Sequence, residues 1–413
     1  KLYPVVLLIC TVPLPYFAWL FLYDVPLREA FFSLTPVDFL FPTQRNFTLW
    51  ISFPLLYFFW LSIAAKVDCR KIAVWKTTTI SCVLFILMLV AGIRFTYDKR
   101  AEILSEMSYD ILHEKWEETL RLSAVYPTSN RRVCYLTNIA LCESGQMPYR
   151  MFHYRQIGPV GLFLERELNY LSLWNLGEVY YRLGMIPEAE HCAFEALISS
   201  PNEANTQTLQ RLAVTNLIRR DSSAFCKYVS FFENTLAYGK WAKQQRSYLD
   251  TAMVNSSFQI PHTPVPYKYD DFFINYVNPD HALHILLQSN PTHKKAFEYL
   301  MAYYLLQQNI EAIKKCIDLY YKDSFYPAMP VLYEEALLVY KNINPANADF
   351  LKKYPVSEAT LKRFSEYTRV YKNAKRSNRD WEQLRKRFGN TYWFYVHFTE
   401  PVFGHNEDEK YRY

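Results

Sequence analysis

The chain has 413 residues, 51% hydrophobic, 17% aromatic and 21% charged, with a formal net charge of +6. Nine glycines are few for that length, and phosphate loops, dinucleotide fingerprints and tight hairpins all need glycine, so P-loop, Rossmann and turn-rich β-sandwich folds are poor fits. The 34 Tyr and 29 Phe exclude intrinsic disorder.

Residues 2–23 and 46–65 carry no Asp, Glu, Lys or Arg, and neither do residues 77–93. A helix rises ~1.5 Å per residue against a hydrocarbon core ~30 Å thick, so ~20 apolar residues span a bilayer. Three transmembrane helices are therefore predicted, at about 2–23, 46–65 and 77–95, the last extended by Arg94 snorkelling toward the interface. They form a membrane domain over residues 1–97. No small-x-small cleavage site follows the first segment, and Asp24 comes directly after Tyr23, which argues against a cleaved signal peptide. The chain begins at Lys1 rather than Met, which reads as a fragment with earlier spans missing.

Loop charges set the orientation. Lys66, Arg70, Lys71 and Lys76 stand against Asp68 between the second and third spans, whereas the 24–45 loop is mixed. The positive-inside bias puts 66–76 in the cytoplasm and everything beyond residue 97 on the extracytoplasmic side. Lys99 and Arg100 pull the other way.

From residue 98 the apolar residues recur at helical spacing. Helices are predicted at 99–125, 130–143, 161–183, 187–199, 205–219, 222–238, 241–253, 279–288, 293–307, 309–322, 330–341, 356–372 and 379–388. Breaks fall at Pro127-Thr128-Ser129, at Pro201-Asn202-Glu203 and in the Pro-rich stretch 259–268. The eight cysteines show no metal-ligand spacing. Cys134 and Cys142 lie too far apart along one predicted helix to form a disulfide, and read as small buried apolar residues. The expected fold class is all-α.

Residues 173–201, LWNLGEVYYRLGMIPEAEHCAFEALISSP, carry the most specific pattern. Leu176, Gly177 and Tyr180 are followed by Gly184 in a turn, Ala189 and Ala196 on a second helix, and a closing Pro201. The segment resembles a tetratricopeptide repeat, a helix–turn–helix unit of about 34 residues. It departs from that pattern at Leu173, where the family favours Trp, and at Ala193, where it favours a large aromatic. Residues 296–319, with Tyr303, Ala312 and Cys316 at matching offsets, look like a second unit; 209–234 look like a third, and Trp116 to Pro127 like the end of an earlier one. The resemblance implies a helical solenoid over 98–351, with a concave groove lined by the first helix of each pair. In residues 173–201 it places Trp174, Asn175, Glu178, Tyr181 and Arg182 on the groove side as candidate partner-binding residues. Spans followed by a repeat-like tail also resemble bacterial multi-pass membrane proteins of no assigned activity.

Residues 352–413 form a third region, basic and helical with an aromatic end, TYWFYVHF. Twelve Lys or Arg stand against four acids within 352–387, a composition suited to anionic lipid headgroups. No aromatic-basic reader motif accompanies them, so nucleic acid is not an expected partner. GxSxG, HExxH, Walker A and GxGxxG patterns are absent from the sequence. Asp270 with Asp271, and Glu165 with Glu167, read as solvated pairs, and His281 with His284 as half a metal site lacking an evident third ligand. No catalytic residue, metal or cofactor is assigned. The expected function is a membrane-anchored scaffold or accessory subunit contacting other envelope proteins, in a bacterial inner membrane with the helical tail periplasmic. The competing reading is an integral-membrane enzyme, such as a lipid-linked glycosyltransferase, whose catalytic part precedes residue 1.

Overall fold

The structure is a computed structural model that describes residues 97–126, 129–164, 170–200, 205–255, 258–261, 264, 279–345, 350–377 and 381–400, together with positions 79, 83, 86, 87, 90 and 94. The predicted spans 2–23 and 46–65, and most of 77–95, lie outside the described residues, as do Asp270, Asp271, Glu165 and Glu167. No helix among the described residues is long and apolar enough to cross a membrane. The chain divides into two compact units, Lys1–Lys99 with Ser200–Asn205, and Arg100–Ser199 with Thr206–Tyr413. The helices from Arg100 onward belong to the second unit.

Every regular element among the described residues is helical. In chain order these are α1 (Lys99–Leu112), α2 (Trp116–Val125), α3 (Arg131–Glu143), α4 (Met147–Arg150), α5 (Tyr170–Arg182), α6 (Ile186–Ile198), α7 (Thr206–Arg219), α8 (Ser222–Glu233) and α9 (Gly239–Val254). They continue as α10 (Pro279–Ser289), α11 (Lys294–Gln307), α12 (Ile310–Tyr320), α13 (Val331–Ile343), α14 (Phe350–Lys353), α15 (Glu358–Ser377), α16 (Trp381–Phe388) and α17 (Tyr392–Phe398).

One turn recurs. Glu114, Gly145, Gly184, Arg220 and Gln308 all have positive φ, between 57° and 76°. Each stands two positions before the next helix. In each, the following amide reaches back five residues: Lys115 to Asp110, Gln146 to Leu141, Met185 to Tyr180, Asp221 to Asn216 and Asn309 to Tyr304, at 2.8–3.1 Å. The left-handed residue's own amide reaches back three. This is the Schellman cap, which satisfies the carbonyls orphaned at a helix end and reverses the chain. Its use at Glu114 splits the single helix expected over 99–125 into α1 and α2, with no glycine or proline to announce the break.

The other boundaries follow side-chain chemistry. Asn130 caps α3 by accepting the amides of Arg132 and Val133, Asp221 caps α8, Asn309 caps α12 and Thr391 caps α17. The expected helix 161–183 starts later than predicted. Pro159–Gly161 is a 3₁₀ turn, residues 162–164 are not helical, and α5 is described from Tyr170. The aromatic end folds back as α17, burying Tyr392, Trp393 and Tyr395.

Packing is sequential through the middle of the chain, α5 on α6, α6 on α7, α7 on α8 and α8 on α9. At Gly177 the first pair closes tightly, because a Cβ there would lie 2.9 Å from the Cys192 Cβ. A second set of contacts is long-range: short α4, which packs on its neighbour α3, also packs on α11 and α13. His293 ties the two sets together. Its Nε2–H donates to the Leu183 carbonyl at 3.0 Å while Nδ1 accepts the Ala296 amide, which caps α11. That pairing needs the neutral ring, and burial lowers its pKa accordingly.

Two consecutive glutamates of α13 hold the C-terminal helices. Glu334 accepts the Ser357 amide and the Ser357 and Thr360 hydroxyls at the start of α15. Glu335 accepts the Tyr392 amide at 2.7 Å, and its backbone carbonyl accepts the Trp393 indole N–H. Burial pushes the Glu335 carboxyl up to about 8 against the opposing pull of the Tyr392 amide and Arg363, with Glu334 adding a smaller push in the same direction. The folded value stands above the ordinary 4.5. Stability from this group is therefore complete below that value and is lost as pH rises toward 8. Amide exchange in α17 should accelerate over that window in the wild type and become pH-insensitive in Glu335→Gln, after correction for intrinsic rates. Protection that holds or rises with pH would contradict this assignment.

Candidate interaction site

Trp174, Glu178, Tyr181 and Arg182 recur at helical spacing along one side of α5, with Asn175 beside them. The structure brings all five together and turns them inward. Arg182 Nη2 lies 2.7 Å from Glu178 Oε1, and Arg211 of α7 lies 2.5 Å from Glu178 Oε2. Arg182 also lies 3.9 Å from Glu143 of α3, which in turn meets Lys295 of α11 at 2.9 Å. Lys295, Glu143, Arg182, Glu178 and Arg211 thus form a chain of alternating charge across four helices.

Rings sandwich it. The Arg211 guanidinium sits 3.5 Å from the Tyr181 ring centroid and 5.3 Å from that of Trp174, and Arg182 sits 4.7 Å from that of Trp116. The Asn175 carbonyl accepts the Tyr135 hydroxyl of α3.

The middle of this chain is buried, Glu178 being 4% exposed, whereas Lys295 at one end is 42% exposed. Burial pushes the Glu178 carboxyl up, but Arg211 and Arg182 outweigh it and hold the pKa below the ordinary value. Arg182 is likewise desolvated, yet Glu178 and Glu143 keep it firmly protonated. A group pinned in one ionisation state by two neighbours is a poor proton donor or acceptor near neutrality. The expected groove lining is largely turned toward its own charged partners, while Asn175 Nδ2, Arg182 Nε and Arg211 Nη1 are buried without a hydrogen-bond partner. Through its ion pairs the site links α3, α5, α7 and α11.

From the middle of this chain Arg182 also reaches toward the surface. Arg182 donates to the Ile111 carbonyl at 3.0 Å, at the end of α1, and stacks on Trp116 at the start of α2. Trp116, Glu106, Asp110, Glu114 and Glu117 line a recess of about 630 Å³ at that corner. The repeat pattern singles out Trp116 among these residues and leaves the acids aside, although a signal for them is there. Glu102, Glu106, Asp110 and Glu114 recur every fourth residue, and like charges at that spacing destabilise a helix.

Other sequence candidates resolve into packing. Both ring nitrogens of His284 meet tyrosine hydroxyls, Tyr320 at 3.0 Å and Tyr304 at 2.9 Å. Among the described residues no group of three His, Cys, Asp or Glu is placed to hold a metal. Cys134 and Cys142 are buried and unbridged, and burial pushes the Cys134 thiol up to about 12, out of the reactive range.

Arg182→Ala leaves Glu178 and Glu143 facing each other across a dehydrated gap. It should cost about 3–5 kcal/mol of unfolding free energy by urea titration of helicity. A loss near zero would show that these charges are solvated.

The chain belongs to a family of unknown function, DUF6057, which matches residues 1–399. No curated protein matches it, and neither does any solved structure.

Proposed function

We propose that this chain is a membrane-anchored helical scaffold or accessory subunit that contacts other proteins of a bacterial envelope. The observation that carries the reading is the repetition of one capped reversal, at Glu114, Gly145, Gly184, Arg220 and Gln308, each joining a helix to its successor. Stacked helical hairpins with nearest-neighbour packing are the construction of tetratricopeptide-like arrays, whose surfaces serve recognition. The irregular intervals between the turns fit a divergent array.

Membrane anchoring is supported by the uncharged stretches 2–23, 46–65 and 77–93. It is supported further by Val83, Ile86, Leu87 and Val90, which are helical, recur at three- and four-residue intervals and are 50–58% exposed. Apolar side chains aligned on one face and left uncovered by protein suit a lipid surface. The charge bias of the 66–76 loop supports a periplasmic side of an inner membrane for the helical unit. In α15 and α16, Lys362, Arg369, Lys372, Arg385, Lys386 and Arg387 are exposed, a basic face suited to anionic headgroups.

Purification of the full chain from native membranes in mild detergent tests the reading. A scaffold emerges with defined protein partners at fixed stoichiometry. A chain that consistently emerges alone, at the mass of a single copy in its micelle, contradicts it.

A further inference from the structure

We propose that the recess at the α1–α2 corner is a binding site for a basic side chain, a guanidinium or alkylammonium presented by a partner polypeptide. The inference rests on the scaffold reading for the partner's being a protein. The recess is lined by the carboxylates of Glu106, Asp110, Glu114, Glu117 and Glu118, the last paired with Arg121, together with Lys115 and Trp116. Five carboxylates against one lysine, beside an aromatic residue, are the two kinds of group that attract an organic cation, by Coulomb attraction and by the ring quadrupole.

Asp110 gives the site its direction. Its side chain is 4% exposed and lines the recess. Oδ2 has no hydrogen-bond partner, and Oδ1 meets Lys115 Nζ at 3.8 Å, beyond hydrogen-bond reach. A buried carboxylate oxygen without a hydrogen-bond donor is unfavourable, and the fold retains it. Burial raises the Asp110 pKa, with Lys115 opposing and Glu118 adding to the rise, so an arriving cation would recover charge stabilisation that the free protein lacks. Lys115, 53% exposed, also lies 5.1 Å from the Tyr109 ring centroid. It lines the recess as an internal cation paired with Asp110 at long range, which a closer-fitting guanidinium can displace.

The dimensions decide between kinds of cation. The carboxylates surround about 630 Å³ of open space and do not converge on a point, and no three acidic or imidazole groups among the described residues are placed to hold a metal ion. That geometry suits an extended organic cation several atoms long. The recess wall is fixed from behind, since Arg182 holds both the Ile111 carbonyl and the Trp116 ring, so binding requires little ordering of the site.

The test uses the full chain in detergent and a short labelled Gly/Ser peptide carrying adjacent arginines, with the citrulline analogue and free spermidine as the other arms. The arginine peptide should bind by fluorescence anisotropy, and the citrulline peptide should not. Asp110→Asn and, separately, the exposed Glu106→Gln should each weaken binding about tenfold, with melting temperature as the control for folding. Equal binding of the citrulline peptide, unchanged affinity in a folded Glu106→Gln variant, or no binding of any probe overturns the assignment. Binding of spermidine without the arginine peptide replaces the protein partner with a free polyamine. None of these failures bears on whether the protein co-purifies with partners, so the scaffold reading stands or falls separately.

Discussion

Glu178 sits between two guanidiniums in the interior of the helical unit, and that placement constrains most of what surrounds it. Removing a carboxylate from water costs several kcal/mol, which attraction to one guanidinium at 2.5–2.7 Å offsets only with good geometry. Two are supplied here, from α5 itself and from α7, and a second carboxylate, Glu143, answers Arg182 from α3. A hydrophobic cluster could hold four helices together as firmly. It would not fix their register as narrowly, because apolar contacts tolerate sliding and paired charges do not. We regard the alternating chain as the element that sets the relative rotation of α3, α5, α7 and α11.

The same chain of charges bears on the surface. Arg182 reaches past α5 to the last turn of α1 and to the ring of Trp116, so the corner between α1 and α2 is braced from inside. That corner is made by Glu114 in the left-handed region, a conformation that favours glycine. The strain of a non-glycine residue is offset by the Lys115 amide bonding to the Asp110 carbonyl, and the turn leaves Glu114 at the rim of the acidic recess. Interior order and exposed chemistry thus meet at one helical reversal.

Much of the helical pattern is legible in the amino acids, because apolar spacing, Asn and Asp caps, and prolines mark most ends. The turn at Gly184 is legible for the same reason, as glycine is the usual left-handed residue. Its relatives at Glu114, Arg220 and Gln308 are not, since nothing about those side chains advertises positive φ; the turn there is imposed by packing on both sides. Helical spacing groups the α5 residues on one face, yet it does not say whether a polar face meets water or another polar face. Arg211 and Glu143 lie 33 and 35 residues away along the chain from Glu178, too remote for local spacing to reveal. The acidic stripe on α1 looks like any solvated helix face because the recess it lines is completed by residues of the next element, Trp116 and Glu117.

The polar face of α5 serves internal cohesion, which leaves recognition to the surface it braces. A double-mutant cycle on unfolding free energy, built from Glu178→Gln and Arg211→Met singly and together, reads that cohesion out. A coupling of about 1–3 kcal/mol is expected, with each single variant strongly destabilised. Additive, small effects would mean that these charges are solvated and available to a ligand, and the internal role of α5 would have to be abandoned.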